Sequence, residues 1–276
     1  MCILFSYVAK RLNPNEYKLI VLNNRDEFHF RPSKPAGYVT DHSVYGMDLT
    51  PGKEGGTWLG TSRLGKIGVL LNLNSVDYGI EFDSKEGRGF LVPNFLHTDL
   101  DALSYVNSIK ETAKLYNPFN IVFFERNKKD YWEASIFDNV SCELSKTNEE
   151  YVSISNHQYK KKIYPKTTMG EKMFKDIVAK YNDTSKKEQL IDSLINLAKF
   201  STDKYRDSID QHSFTREQIC IDIPNYGTRT HTLILVDHAN RVTINEKTMQ
   251  CPIDSQNPVW EETKIEFNLN PIENEQ

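Results

Sequence analysis

Short apolar runs come in pairs along this chain, and a polar turn separates the members of each pair. Residues 2–8 and 17–22 are the first two runs, with Asn13-Pro14-Asn15 between them. Asn and Pro favour turns, so these runs predict a hairpin of two antiparallel strands. The pattern returns at residues 57–61 with 66–73 and at 120–125 with 131–137, and further strands are predicted at 151–155, 230–236, 242–246 and 260–267.

Helices are predicted between these groups of strands. Apolar residues at three-to-four spacing occupy residues 90–96, 102–115, 173–181 and 190–198. Because hairpins dominate over strand–helix alternation, the sheets should be mostly antiparallel. The sequence therefore predicts an α+β fold, a four-layer αββα sandwich. We expect a single domain over residues 1–269 and a C-terminal tail over residues 270–276.

Charge and hydropathy exclude two classes of partner. Lys and Arg number 34 against 38 Asp and Glu, so no basic surplus points to nucleic acid. The apolar runs fall far short of the roughly 20 residues that a membrane-spanning helix needs, which predicts no transmembrane segment. The basic pair Lys10-Arg11 follows the first apolar run, the reverse of a secretory signal. Four scattered cysteines without a Cys-x-x-Cys pair favour a reducing, cytoplasmic setting.

Cys2 is the first candidate catalytic residue. Removal of Met1 would make Cys2 the terminal residue, which carries both a thiol and an α-amine. An α-amine has a reference pKa of about 7.7–8.0, so it can act as a general base for its own thiol. The alternative is that Cys2 is a small apolar residue at the start of a strand.

A polar segment, Asn23-Asn24-Arg25-Asp26-Glu27, directly follows the second apolar run. In a hairpin, the end of the second strand lies near the start of the first, so this segment should approach Cys2. A cation beside a thiol lowers its pKa, and a carboxylate can orient the α-amine. The alternative is an Arg–carboxylate pair that caps the sheet.

Other polar groups also fall at the ends of predicted strands. Trp58, after Gly55-Gly56, is interpreted as a pocket wall or as a core residue. Asn72 and Asn156 are candidate amide donors to an oxyanion, or turn residues. Arg229 is a second candidate for an anion-facing cation.

Four ordered motifs together resemble the NRDE family, which includes transport and Golgi organisation proteins, from residue 1 to about residue 267. The resemblance implies a fold like that of the N-terminal-nucleophile (Ntn) hydrolases, whose cysteine members use a terminal Cys with an Arg and an Asp on the second strand. Asn23 stands three residues before Asp26, where those hydrolases carry the Arg. The motifs are Met1-Cys2-Ile3, Asn24-Arg25-Asp26-Glu27-Phe28 with Arg31-Pro32, residues 55–60 and residues 226–230.

The resemblance implies a carrier of haem or of acyl-CoA and other lipids, linked to Golgi organisation and secretion. Its location would be cytoplasmic, with mitochondrial or Golgi association and peripheral membrane contact as further expectations, and no cofactor would be required. The alternative is a cysteine hydrolase that cleaves an amide or thioester through Cys2. The expected catalytic set is Cys2, Asp26, Arg25, Asn72, Asn156 and Arg229, and the expected ligand-binding set is Asn24, Arg25, Asp26, Glu27, Trp58 and Arg229.

A haem ligand is harder to predict. Cys251-Pro252 resembles the short Cys-Pro motif of some haem-sensing proteins, and a thiolate can bind iron, although the same dipeptide is typical of a turn. His157, His212 and His231 are the other candidates. The spacing of the histidines and cysteines does not predict a zinc site.

Overall fold

The computed structural model describes residues 1–79, 86–161, 163–203, 210–254 and 256–272. The chain divides into two compact units. Unit 1 comprises Met1–Pro32, Glu149–Ser155 and Lys162–Phe267, and unit 2 comprises Ser33–Asn148, Asn156–Lys161 and Asn268–Gln276. Each unit contains one β-sheet, and both sheets pair their strands antiparallel. The predicted α+β class with mostly antiparallel sheets is confirmed.

Unit 1 is built on a sheet in which β1 and β12 flank β2, so that the first hairpin lies inside the sheet. The order is β10-β1-β2-β12-β13-β14, with β11 paired to β12. The strands are β1 (Ile3–Val8), β2 (Tyr17–Phe28), β10 (Tyr151–Ile154), β11 (Asp222–Ile223), β12 (Tyr226–Asp237), β13 (Arg241–Met249) and β14 (Trp260–Asn268).

Unit 2 is a meander in which the strands follow one another in chain order. The order runs from β3 to β9 without a crossover. The strands are β3 (Ser33–Thr40), β4 (Ser43–Asp48), β5 (Leu59–Ser62), β6 (Lys66–Asn72), β7 (Phe119–Arg126), β8 (Trp132–Asp138) and β9 (Glu143–Thr147).

Amphipathic helices cover one face of each sheet. In unit 2, Phe95 and Tyr105 pack against Phe123 of the sheet. In unit 1, Phe174 and Leu194 join Phe5 in one apolar core. This burial of an apolar helix stripe on a sheet is the main stabilising term for both units. The helices are α1 (Leu91–His97), α2 (Ala102–Ile109), α3 (Pro165–Tyr181), α4 (Lys187–Ala198) and α5 (Gln211–Glu217).

Strand β2 is longer than the apolar pattern predicts. The run was expected to end at residue 22, but the strand continues through the polar segment to Phe28. The polar side chains are buried with partners of their own. Asn23 donates to the Ile3 carbonyl at 3.0 Å, and Asn24 donates to the Ala198 carbonyl at 2.8 Å. Because hydrogen bonds allow these polar side chains to be buried, this part of the strand lacks the apolar pattern from which a strand is predicted.

The prediction of one helix over residues 102–115 is wrong for its second half. Helix α2 ends at Ile109, and a separate 3-10 turn follows at Thr112–Leu115. Ser108 donates its hydroxyl to the Tyr105 carbonyl at 2.7 Å, and Thr112 donates to the Ile109 carbonyl at 3.0 Å. Such local side-chain bonds compete with the helical ladder and favour its interruption.

Gly170 fixes how closely α3 approaches the sheet of unit 1. A Cβ atom at this position would lie 2.7 Å from Cε1 of Phe5 and 3.0 Å from Cδ1 of Ile219. We expect Gly170→Ala to lower the free energy of unfolding by about 1–2 kcal/mol, because overpacking outweighs the roughly 1 kcal/mol that Ala gains over Gly in a helix. Urea denaturation measures the change. Gly37→Ala is the control, since a Cβ there meets nothing within 4 Å. A more stable Gly170→Ala variant would contradict the prediction.

Candidate functional site

Cys2 and Asp26 lie side by side at the end of the β1–β2 hairpin. The register pairs Ile3 with Asn24, so the next residues of each strand meet beyond it. The backbone N–H of Asp26 donates to Sγ of Cys2 at 3.3 Å, and the thiol lies 3.7 Å from the Asp26 carbonyl oxygen. The structure therefore brings together two of the residues that the sequence singled out as catalytic.

The Asp26 carboxylate is fully buried and accepts from two directions. Its Oδ1 accepts from the Thr228 hydroxyl at 2.5 Å, and its Oδ2 lies 2.9 Å from the Met1 ammonium. The same ammonium donates to the Tyr226 hydroxyl at 2.6 Å. Thr228 and Tyr226 are both on β12, which pairs with β2. A buried carboxylate thus holds an α-amine next to the candidate nucleophile.

Lys166 supplies a second buried cation to this site. Its side chain is fully buried in the first turn of α3, and its Nζ donates to the carbonyl oxygen of Met1. That carbonyl belongs to the peptide bond that precedes Cys2. Burial lowers the pKa of Lys166, while the carboxylate of Asp26 and the thiol of Cys2 oppose this effect.

Burial also controls the protonation of the thiol and the α-amine. It raises the pKa of the Cys2 thiol, and the Asp26 charge raises it further, whereas the α-ammonium and Arg25 lower it. Burial lowers the pKa of the Met1 ammonium, and Asp26 acts against this as the largest opposing influence. The geometry therefore favours a protonated thiol beside an amine of reduced basicity. The lowered pKa makes the neutral amine, the form that can act as a base, more accessible, whereas the raised thiol pKa opposes transfer of its proton.

Two guanidinium groups lie at one carboxylate at the end of β2, and a third, that of Arg229, is near enough to influence the charge of Arg25. Arg31 Nη1 lies 2.9 Å from Oε2 of Glu27, and Arg25 Nη2 lies 3.8 Å from the same oxygen. Burial lowers the pKa of Arg25 to about 10; Arg229 and Arg31 also lower it, whereas Glu27 raises it. Arginines grouped in this way are typical of sites that contact anions.

Arg229 is fully buried and directs its guanidinium at the protein itself. Its Nη1 donates to the carbonyl oxygens of Phe28 and Arg31 at 2.8 and 2.5 Å, and its Nη2 lies 2.9 Å from Sγ of Cys251. Because Arg31 N–H also donates to the Phe28 carbonyl at 3.2 Å, residues 28–31 form a closed turn above Arg229. The contacts of Arg229 therefore support this turn.

Asn24 is buried on the helix-covered face of the sheet. Its Nδ2 donates to the carbonyl oxygens of Ala198 and Ile219, so its Oδ1 accepts from Nδ1 of His231 at 2.8 Å. The His231 ring stacks on Trp260 with 5.1 Å between centroids. Burial lowers the pKa of His231 to about 3, so this imidazole stays neutral.

The remaining predicted site residues lie in unit 2. Asn156 Nδ2 donates to the backbone carbonyl of Asn72 at 2.5 Å, so these two residues are neighbours. Trp58 is buried and packs over Gly46, where a Cβ would lie 2.9 Å from its Cη2. Their roles as oxyanion donors and pocket wall remain predictions.

The candidate haem ligands are distributed over both units. Cys251 Sγ accepts a hydrogen bond from Arg229, and His231 is hydrogen-bonded to Asn24. His157 is buried in unit 2, with Nδ1 3.0 Å from the Gln158 carbonyl. His212 lies in the first turn of α5, partly buried.

Sequence reasoning missed two residues of the site, Lys166 and Tyr226. A lysine in the first turn of a helix, directly after Pro165, opposes the helix dipole, but this local feature does not indicate the contact with Met1. Tyr226 stands at the start of the motif at residues 226–230 but was not assigned a role. Its hydroxyl pKa is raised by burial and by the Asp26 charge, so it stays a neutral hydrogen-bonding group.

Comparison with known proteins identifies the family. The sequence model of the family described as "Transport and Golgi organisation 2" matches residues 1–251. This chain belongs to that family. The family resemblance predicted from the four motifs is thereby confirmed. The Transport and Golgi organization 2 homolog of Mus musculus and the corresponding protein of Homo sapiens are each 32% identical to it, over 98% of this chain and 99% of theirs.

A solved structure is also similar to this member of the Transport and Golgi organisation 2 family. It is the Caenorhabditis elegans N-acylethanolamine-hydrolyzing acid amidase ortholog, with a TM-score of 0.43 and 11% identity over 85% of this chain and 92% of that one. In the ranges that the structure describes, no helix is both long and apolar enough to cross a membrane.

Proposed function

We propose that this protein is a carrier in transport linked to Golgi organisation, and that its cargo is an amphiphile with an anionic head, either haem or acyl-CoA. The family name supplies the link to transport and the Golgi. The guanidinium cluster of Arg25 and Arg31 at Glu27 carries the proposal about the cargo. Haem has two carboxylates and acyl-CoA has phosphates, and both need positive charge in a partly apolar setting.

Arg31 is the member of the cluster that can reach a ligand. Its side chain is 30% exposed, whereas Arg25 is 5% exposed. Burial and the neighbouring Arg31 lower the pKa of Arg25 to about 10, so Arg25 is still charged at neutral pH. An anion bound at Arg31 would reduce the repulsion between the two guanidiniums. Binding of the head group is therefore favoured by the charges that the fold keeps close together.

Titration of the purified chain with haem and with palmitoyl-CoA tests the carrier. We expect saturable binding of one of them to the unaltered protein, followed by absorbance or by calorimetry. Arg31→Gln should weaken that binding about tenfold or more, since a charge-assisted hydrogen bond contributes about 1.5–3 kcal/mol. Arg241→Gln, an exposed position at the start of β13, is the control.

Arg25→Gln provides a second variant at the same cluster. Because Arg25 is buried, urea denaturation first checks that the Arg25→Gln variant folds. Arg31→Gln remains the primary variant. The absence of saturable binding of both ligands to the unaltered protein would contradict the proposal, as would equal binding by Arg31→Gln and Arg241→Gln.

A second function is favoured by the buried Asp26 carboxylate beside Cys2, which binds an α-ammonium, that of Met1, at 2.9 Å. Once residue 1 is removed, Cys2 Sγ would attack an amide or thioester carbonyl and give its proton to its own α-amine. That amine would pass the proton to the leaving amine or thiol, and water would then hydrolyse the thioester on Cys2. Asp26 would orient the amine, and Lys166 would stabilise the oxyanion.

Thioester hydrolysis of palmitoyl-CoA tests this alternative. Intact-mass measurement first establishes whether Met1 is present, because the mechanism requires Cys2 to be the terminal residue. We expect Cys2→Ala to reduce hydrolysis by at least about 100-fold, a change typical of loss of an essential catalytic group. Cys142→Ser in unit 2 is the control and should hydrolyse normally. Hydrolysis retained in Cys2→Ala would exclude this mechanism.

A further inference from the structure

An aromatic row leads from the buried α-amine to the protein surface. It consists of Tyr226, Phe28 and Phe30, all in unit 1. The Tyr226 hydroxyl accepts from the Met1 ammonium, and the Tyr226 ring meets the Phe28 ring edge-on with 5.2 Å between centroids. Phe28 in turn stacks on Phe30 at 5.2 Å, with 23° between the ring planes. The rings therefore form a continuous path beside Cys2.

The outer part of this row is unusually exposed. Phe30 is 78% exposed, more than any other large apolar side chain in the described ranges, and its neighbour Phe28 is 47% exposed. Scattered apolar residues on a surface need no explanation, but stacked neighbours beside a polar site do. Two exposed phenyl rings present a flat apolar surface that gains free energy when a ligand covers it.

The turn that carries Phe28 and Phe30 is rigid. Arg229 donates from below to the carbonyl oxygens of residues 28 and 31, and His29 N–H donates to the Asn225 carbonyl at 2.9 Å. Glu27 accepts from Phe28 N–H at 2.9 Å. A surface that is fixed before binding loses little conformational entropy when a ligand arrives. The exposed rings are thus presented by a supported turn.

Positive charge lies at the edge of the row. Arg31 follows Phe30 directly in sequence, is partly exposed and is bonded to Glu27. An apolar surface with a guanidinium at its edge is complementary to a molecule that joins an apolar body to an anionic head.

We propose that Tyr226, Phe28 and Phe30 form the subsite for the apolar body of the ligand, with Arg31 at the edge for its anionic head. This inference deepens the carrier function proposed above and rests on it for the identity of the cargo. The row predicts which residues hold the body: a flat ring system stacks on Phe28 and Phe30, whose rings lie 23° from parallel.

The test uses 1-anilinonaphthalene-8-sulfonate, a flat aromatic anion whose fluorescence rises on binding to apolar surface. We expect the native chain to bind it saturably and Phe30→Ser to weaken binding about tenfold through loss of ring contact. Phe90→Ser is the matched control, because Phe90 is 48% exposed in unit 2. Both positions are exposed, so the variants should fold, which circular dichroism checks. No saturable binding, or equal binding by the two variants, would overturn the inference.

Protoporphyrin and palmitoyl-CoA separate the two kinds of apolar body. Phe30→Leu removes the flat ring but keeps an apolar side chain, so it should weaken the porphyrin and spare the acyl chain. Probe binding that depends on Phe30, without binding of haem or palmitoyl-CoA, would support the aromatic subsite and contradict the proposed cargo. Cargo binding that is equal in Phe30→Ser and Phe90→Ser would overturn the subsite and leave the carrier function in place.

Discussion

Replacing Arg229 with alanine should lower the free energy of unfolding by about 3–5 kcal/mol. The guanidinium is fully buried and donates to the carbonyl oxygens of Phe28 and Arg31. Truncation leaves both oxygens without this donor and creates a cavity, and the two effects add. Urea denaturation of the variant against the unaltered chain measures the loss.

Two further variants make the test specific. Arg229→Lys keeps the charge, but a single ammonium cannot reproduce the planar fork that reaches two carbonyls and Cys251, so it should recover less than half of the loss. Arg241→Ala removes an arginine from an exposed position on the next strand and should change stability by less than about 0.5 kcal/mol. A loss below about 1 kcal/mol for Arg229→Ala would show that the turn at residues 28–31 does not depend on this guanidinium.

Much of the fold could be predicted because its signals are local. The runs that became β1, β6, β7, β8, β12 and β13 are apolar and bounded by turns, so their pattern is visible in the sequence. Strands β3 and β4 were missed because their sequences include Pro35, Gly37 and Gly46 and alternate weakly. Pairing with β5 holds β4 in place, and a single run of residues does not reveal that pairing.

In the candidate site, too, short-range contacts could be predicted from the sequence and long-range contacts could not. The proximity of Cys2 and Asp26 could be predicted because a hairpin places the end of one strand beside the start of the other. The contact of Lys166 with the Met1 carbonyl joins residues 165 positions apart, and no short-range pattern encodes it. The role of Arg229 was also hidden, because a buried arginine that binds an anion and one that supports a turn have the same sequence signature. Only the positions of the Phe28 and Arg31 carbonyls distinguish these roles.

Asp26→Asn should destabilise the protein by about 3–5 kcal/mol at about pH 6 and by less at about pH 9, where the contribution of the amine is lost. The carboxylate is the partner of the Met1 ammonium at 2.9 Å and raises the pKa values of that ammonium and of Lys166 against the effect of burial. Without it, two buried cations have lost their counter-charge, which is the costly half of a broken ion pair.

The sign of the pH effect follows from proton binding. In the variant, the folded-state pKa of each cation falls further below its unfolded value, so the unfolded state binds more protons. Stability of the variant therefore rises with pH from the lowered folded pKa of each cation up to its ordinary value, which is 8.0 for the amine and 10.5 for Lys166. Urea denaturation at the two pH values, on protein whose mass shows Met1 to be present, measures this. Asp192→Asn on the exposed face of α4 should show no such dependence. An equal loss for Asp26→Asn at both pH values would mean that Asp26 does not hold these cations in their charged form.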